Sequence, residues 1–211
     1  MMDANQVLSV FLVVVLSMFG VAGCGDSANL PNGPVETQAS TTEPDSLSEE
    51  VSPPAPVPAP TKSVYEAAFE GDVDAIKLHI AAGTDLNYQD PVTGSNALIS
   101  AAIFGQNEAA ILLIEGGADL EVRNNEGSTA LHSAAFLCRE EIVKSLLENG
   151  ADRNPRNNGG VTALDSVAGP FEEVKPIYAL LQQSLGPFGL MLDYEFIGAT
   201  RPKIAEMLRA Q

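Results

Sequence analysis

The side chains of this 211-residue chain best suited to chemistry are few: two cysteines, Cys24 and Cys138, and two histidines, His79 and His132. Two cysteines fall short of a disulfide framework, which takes sets of four or more. Zinc sites draw Cys and His ligands from clusters, and here the histidines lie far from both cysteines. His132 precedes Ser133, a pairing that suggests nucleophile chemistry, but that chemistry needs a third, orienting group and none is in view. There is no glycine-rich phosphate loop, no carboxylate pair that stands out from an acidic background and no calcium-ligand spacing. The reading is therefore not an enzyme, with no catalytic residue, no metal site, no cofactor and no small-molecule substrate expected.

Charge narrows the partners. The chain holds 28 acidic and 11 basic residues, a formal net charge of -17 and a pI near 4.2. Such a chain repels phosphate backbones, so nucleic acid is not the expected partner. The charge is unevenly placed: every Lys and Arg lies at Lys62 or later. Hydrophobic residues make up 45% and Trp is absent, so the core must be aliphatic and alanine-rich.

The first 23 residues read as an address. Val7 to Phe19 is an uncharged apolar run, shorter than the roughly 20 residues of a membrane span and matching the apolar region of a secretory signal. Val21-Ala22-Gly23-Cys24 follows and resembles the lipobox of bacterial lipoproteins. The resemblance implies cleavage before Cys24, lipidation of Cys24 with diacylglycerol and often a further (palmitate-type) acyl chain, and a lipid-anchored place in the bacterial cell envelope, on the periplasmic or outer-surface side. The pattern departs in one respect: Met1 to Gln6 has no Lys or Arg. Secretion, or an uncleaved signal anchor with an incidental cysteine, is the alternative. Residues 24–61 then read as a disordered tether, with eight of the 14 prolines and many Ser, Thr and Glu residues. Pro53 to Pro60 favours an extended polyproline spacer.

From residue 62 the chain repeats itself. Gly94-Ser95-Asn96-Ala97-Leu98 returns 33 residues later as Gly127-Ser128-Thr129-Ala130-Leu131, and 33 later again as Gly160-Val161-Thr162-Ala163-Leu164. Gly117-Ala118-Asp119 returns as Gly150-Ala151-Asp152. Such periods signal a stacked array. Within a unit, Asn96, Thr129 and Thr162 are placed to cap a helix, with Asp165 and His132 three residues on as capping-box partners. Alanine pairs allow close helix approach, and Gly71 and Gly105 end the first helix. A second helix presents Ile142, Val143, Leu146 and Leu147, matched by Ala109, Ala110, Leu113 and Ile114.

This pattern resembles the ankyrin repeat, most clearly in Thr129-Ala130-Leu131-His132-Ser133-Ala134-Ala135 and in Glu141-Ile142-Val143 through Leu146 to Asp152. The resemblance implies an all-α ankyrin-repeat solenoid over 62–211, in approximate units 63–93, 94–126, 127–159 and 160–211. Cys138 stands where the family has the glycine of the first helix, a substitution expected to strain that turn. His79, aligned with Leu113 and Leu146, is expected to be a hydrogen-bonded structural histidine, and Cys138 a packing residue. The last unit is irregular: between Gly169-Pro170 and Gly186-Pro187 a helix over Phe171–Ser184 is inserted, with Val174, Ile177, Leu180 and Leu181 on one face. Asp193 is expected to cap a short turn through Ile197, and Thr200 a final helix over Arg201–Arg209 that serves as the displaced second helix.

The resemblance also implies where a protein partner sits: on the loop tips and the late positions of the first helices. Carried over, these are Val92, Thr93, Asn125, Glu126 and Asn158 at the tips, with Phe69, Ile103, Phe104, Phe136 and Leu137 as an apolar ridge that is exposed for a partner or, alternatively, covered by the inserted Phe171–Ser184 helix. The expected function is a membrane-tethered, monomeric, non-catalytic module for protein–protein interaction, its partner protein unidentified. An envelope-structural spacer, or an inhibitor or immunity-type protein that blocks a partner enzyme, is the alternative.

Overall fold

The computed structural model describes residues 60–210. The expected signal segment, Cys24 and the tether up to residue 59 lie outside the described residues. The described chain forms helices α1 (Val64–Glu70), α2 (Val73–Ala81), α3 (Ala97–Phe104), α4 (Asn107–Glu115), α5 (Ala130–Phe136), α6 (Glu140–Glu148), α7 (Ala163–Ala168), α8 (Phe171–Leu185) and α9 (Tyr194–Arg209), with a 3₁₀ turn at Gly186–Phe188. No strand occurs among the described residues.

Local chemistry starts the helices. Ser63 and Glu66 close a reciprocal capping box at α1, with Ser63 N–H donating to Glu66 Oε2 at 2.9 Å. Asn96 Oδ1 accepts from Ile99 N–H at 2.9 Å at the head of α3. Thr162 and Asp165 form the expected box at α7, and Thr129 with the His132 ring forms it at α5. Each box satisfies N–H groups that a helix start leaves without intrahelical partners.

The helices form two layers. In the inner layer α1 packs on α3, α3 on α5 and α5 on α7; in the outer layer α2 packs on α4, α4 on α6 and α6 on α9. Ala67, Ala68, Ala101, Ala102, Ala134 and Ala135 are fully buried along the inner row, where a larger side chain would hold the helices apart. The outer face expected for α4 and α6 is in place: Ala109, Ala110, Leu113, Ile114, Ile142, Val143 and Leu146 are buried and Leu147 packs partly against them. His79 is buried, with Nδ1 3.1 Å from Thr84 Oγ1 and Nε2 2.9 Å from the Lys62 carbonyl. It is the structural histidine expected.

The C-terminal region departs from the sequence reading in one respect. The expected short turn and the Thr200-capped helix are a single 16-residue helix, α9, capped by Asp193 and running through Pro202. Ile197, Thr200, Arg201, Ile204, Ala205 and Leu208 form one continuous buried face, and that burial outweighs the backbone hydrogen bond a helical proline forfeits. Thr200 is thus a buried helix residue and not a cap. Helix α9 packs on α7 and α6, the place of the second helix of the last unit, and α8 is inserted between α7 and α9. Of the face expected for α8, Ile177 and Leu181 are buried and Val174 is partly buried, while Tyr178 is fully buried and Leu180 only half so.

Two ladders tie unit to unit. At the ends of the inner helices, one backbone carbonyl per unit is capped from the next unit. Gln106 Nε2 donates to the Phe69 carbonyl at 3.1 Å, Arg139 Nη2 to that of Ile103 at 3.2 Å, and Tyr178 Oη to that of Phe136 at 2.5 Å. Arg201 Nη2 reaches the Gly169 carbonyl, at the same repeat position, at 3.3 Å. Gly105 and Cys138 directly precede the donors Gln106 and Arg139 in a left-handed conformation, φ 72° and 55°, and Gly71 ends α1 in the same conformation at φ 72°. At Cys138 this is the strained turn expected, because a Cβ disfavours that region.

The second ladder joins the loops. Asn125 donates its backbone N–H to the Thr93 carbonyl (3.0 Å) and Nδ2–H to that of Val92 (2.8 Å). Asn158 does the same to Glu126 (2.9 Å) and Asn125 (2.8 Å). The loops lie so close that a Cβ on Gly127, φ 70°, would stand 2.6 Å from Asn158 Oδ1, whereas one on Gly150, φ 86°, would meet nothing within 4 Å. Gly127→Ala is therefore expected to destabilise by about 1–3 kcal/mol and by more than Gly150→Ala, which bears the left-handed cost alone. Urea unfolding of both variants checks the order.

His132 joins units as well. Its Nδ1 accepts from Thr129 N–H at 3.2 Å, so Nε2–H donates to the Val161 carbonyl at 3.1 Å. Accepting at Nδ1 needs the neutral ring, and burial holds its pKa below the ordinary 6.5. A folded-state value below the unfolded one means stability is fully present above pH 6.5 and is lost as pH falls from there, because the unfolded chain takes up the proton first. The stability advantage of wild type over His132→Gln should be constant above that pH and shrink below it, as read by urea titrations at pH 7.5 and pH 5.5.

Candidate functional site

The loops and the inner helices enclose a cleft of about 520 Å³. Its lining repeats like the chain that makes it. Ser95 and Ser128 lie on the loop side, with Val161 at the same repeat position. Ser100, Ser133 and Ser166 form a hydroxyl row, one from each of α3, α5 and α7. Ile103 and Phe104, then Phe136 and Leu137, form the apolar wall. Helix α8 adds Glu173, Val174, Leu181 and Leu185. The capping bonds described above hold these positions, so the floor is built on helices and not on free loops.

The cleft brings together Thr93, Ile103, Phe104, Glu126, Phe136 and Leu137 of the expected partner-contact residues. The others stand outside the lining. Phe69 packs edge-on against Phe104, ring centroids 4.3 Å apart. Val92 is 50% exposed at its loop tip. Asn125 and Asn158 are exposed but commit their amides to the loop ladder, which makes them structural whatever else they touch. Thr93 Oγ1 donates to Asp90 Oδ1 at 3.0 Å and accepts from Ser95 N–H at 3.2 Å, folding its own loop.

The expectation of a continuous exposed ridge needs correction. Phe136 and Leu137 are buried, at 6% and 3% exposure. Tyr178 of α8 stacks on Phe136 with centroids 4.6 Å apart and planes 12° from parallel, and its hydroxyl caps the Phe136 carbonyl. Arg201 Nη1 in turn donates to Tyr178 Oη at 2.9 Å, and burial pushes the Tyr178 phenol up. The inserted helix thus covers one end of the ridge and leaves Phe69, Ile103 and Phe104 half-buried at the other. Glu126, expected at an exposed tip, is also buried, at 7%.

Several contributors escaped the sequence reading: Tyr65, the hydroxyl row, and Glu173 and Leu185 of α8. The row had a visible signal, since Ser100, Ser133 and Ser166 recur at the repeat spacing. Glu173 and Leu185 had none, because an inserted helix has no counterpart in the other units. Cys138 is buried with Sγ 3.8 Å from the Ile197 carbonyl. Burial raises its thiol pKa to about 11, which suits a packing residue and not a nucleophile.

One family model matches part of this chain. The family described as ankyrin repeats (three copies) matches residues 64–157. No curated protein matches the sequence. Among solved structures, the chain is similar to the crystal structure of the ankyrin repeat domain of Bcl-3, described as a unique member of the IkappaB protein family. The identity is 27% over 49% of this chain and 45% of that one, with a TM-score of 0.47. The chain therefore spans less than half the length of that structure. Ankyrin repeats generally mediate protein–protein interaction and are typically non-catalytic. Residues 64–157 carry ankyrin repeats, and the described helical stack is an ankyrin-repeat solenoid.

Proposed function

We propose that this chain is a non-catalytic protein-binding module that presents its ankyrin-repeat cleft to a segment of a partner protein, and that a lipid on Cys24 tethers it to a membrane of the bacterial cell envelope. The observation that carries the binding half is the cleft itself. It sets an apolar wall beside the half-buried Ser133 and Ser166, while Ser100 at the head of that row is buried. An extended segment can therefore bury side chains on one edge and hydrogen-bond to those two half-buried residues on the other. The first wall residues, Ile103 and Phe104, keep part of their surface open to it. Helix α8 sets the far limit of the cleft.

The tether rests on the sequence. Cys24 follows small residues at the end of a short apolar run. Each buried CH₂ of an acyl chain contributes about 0.8 kcal/mol, so two or three chains hold a protein stably on a membrane. The stretch from residue 25 to residue 61 then spaces the repeats from the lipid surface.

Two measurements test the two halves separately. Mass spectrometry of the mature protein from cells should find the N-terminus at Cys24 carrying diacylglycerol; an intact Met1 or an unmodified Cys24 removes the anchor. Crosslinking in intact cells should recover a stoichiometric protein partner with wild type and lose it with Phe104→Asp, far-UV circular dichroism remaining unchanged. Ser133→Arg, placed on the half-buried cleft floor, blocks the cleft without touching the wall and should lose the partner too. Retention of the partner by both folded variants moves binding away from the cleft.

A further inference from the structure

The loop between α4 and α5 carries an unusual carboxylate. Glu126 lines the cleft yet is only 7% exposed. It forms no ion pair among the described residues, and burial raises its pKa with only its own backbone N–H easing the cost. The other cleft carboxylates differ: Asp165 lies 3.1 Å from Arg156 Nη1, and Glu173 is exposed to water. The same repeat position holds Thr93 in the loop before and Gly159 in the loop after, so the charge belongs to no feature the repeat requires. The main chain at Glu126 is held on both sides: its N–H donates to Asn124 Oδ1 at 3.2 Å and its carbonyl accepts from Asn158 N–H at 2.9 Å. An acid is presented to the cleft in a fixed position and left without a cation.

We propose that the cleft receives an extended peptide segment bearing one lysine or arginine, and that Glu126 is the carboxylate that receives that cation. The proposal rests on the reading of the cleft as a docking surface and adds the chemistry of what docks. A buried carboxylate with no cation is costly, and an incoming ammonium or guanidinium offsets that cost where water is largely excluded and the attraction is strong. The aliphatic stem of Lys or Arg lies against apolar surface while its head pairs, and Ile103 and Phe104 supply such surface within the same cleft. At longer range a chain with net charge -17 steers a cationic segment towards it. Three units, stacked at about 8–10 Å, span a cleft that about seven to nine extended residues fill at about 3.3 Å each.

A random nonapeptide library displayed on phage and selected on the full chain tests this. Recovered sequences should share a Lys or Arg at one position with apolar neighbours. Replacing that residue by norleucine, or Glu126 by Gln, should each weaken binding about thirty-fold or more, and the two together should weaken it no further. Glu126→Gln should leave the thermal midpoint at pH 7 unchanged or higher, because it removes a buried charge; a carboxylate needed only for folding would lower it. Recovered peptides that lack a cationic position, or that keep their affinity for Glu126→Gln, overturn the role of Glu126 and leave the cleft as a docking surface. If no sequence is enriched, or the enriched ones bind Ser133→Arg as well as wild type, the docking reading itself fails and the proposal with it.

Discussion

One carbonyl per unit, left over where an inner helix ends, ties the stack together. A helix terminus exposes C=O groups that have no partner within the helix, and here the next unit supplies the donor for the first three units, while the last unit supplies its own from α9. The donor is not one conserved residue type: it is an amide at Gln106, a guanidinium at Arg139, a phenol at Tyr178 and a guanidinium again at Arg201. The constraint is the position to be satisfied, and several chemistries meet it. Close approach is the condition for all of them. The buried alanine pairs of the inner row and the left-handed turns at Gly71, Gly105 and Cys138 bring successive units near enough for a side chain to reach across.

The last two rungs explain the irregular end of the chain. A regular third unit would take its cap from the residue equivalent to Arg139, but that position is Glu172, an acceptor, at the start of the inserted helix. The carbonyl of Phe136 is instead reached by Tyr178, one turn and a half further along α8, and Arg201 then bonds both the Tyr178 hydroxyl and the Gly169 carbonyl. The insertion therefore replaces a lost rung and also covers the terminal hydrophobic surface. Terminal repeats need some such device, because a stack has no neighbour beyond its end. The cost falls on the apolar ridge, whose far residues Phe136 and Leu137 are withdrawn from solvent.

In the proposed docking reading, the cleft is shaped by repetition, and its one buried carboxylate departs from that repetition. Serines recur along its floor and aliphatic or aromatic groups along its wall, while Glu126 interrupts an otherwise neutral column of Thr93 and Gly159. Repetition supplies a surface that suits an extended segment of no particular sequence. In that reading the buried carboxylate, present once, supplies the element that discriminates between segments, since a site holding an unpaired polar group rejects ligands that leave it unpaired. The histidines and Cys138 are buried and hydrogen-bonded or packed: His79 fastens the first unit, and His132 and Cys138 meet the unit that follows.

The period, the caps at Asn96, Thr129 and Thr162, the buried faces of α4 and α6 and the left-handed turn at Cys138 were all legible in the sequence by itself, because each is set by residues within one unit or by its repeat. Helix α8 was legible too, from its own apolar spacing and the Gly-Pro pairs that bound it. Tertiary structure alone decided three things: that Arg201–Arg209 continues an earlier turn into one helix through Pro202, that Tyr178 seals Phe136 and Leu137 from solvent, and that Glu126 is buried without a cation. Each depends on which distant surfaces meet: α9 against α6 and α7, α8 against α5, and the loop of Glu126 against that of Asn158. Local propensity and periodicity specify the shape of a unit, but the burial of any side chain is a property of the assembled stack, where packing between units outweighs the preference of a single residue.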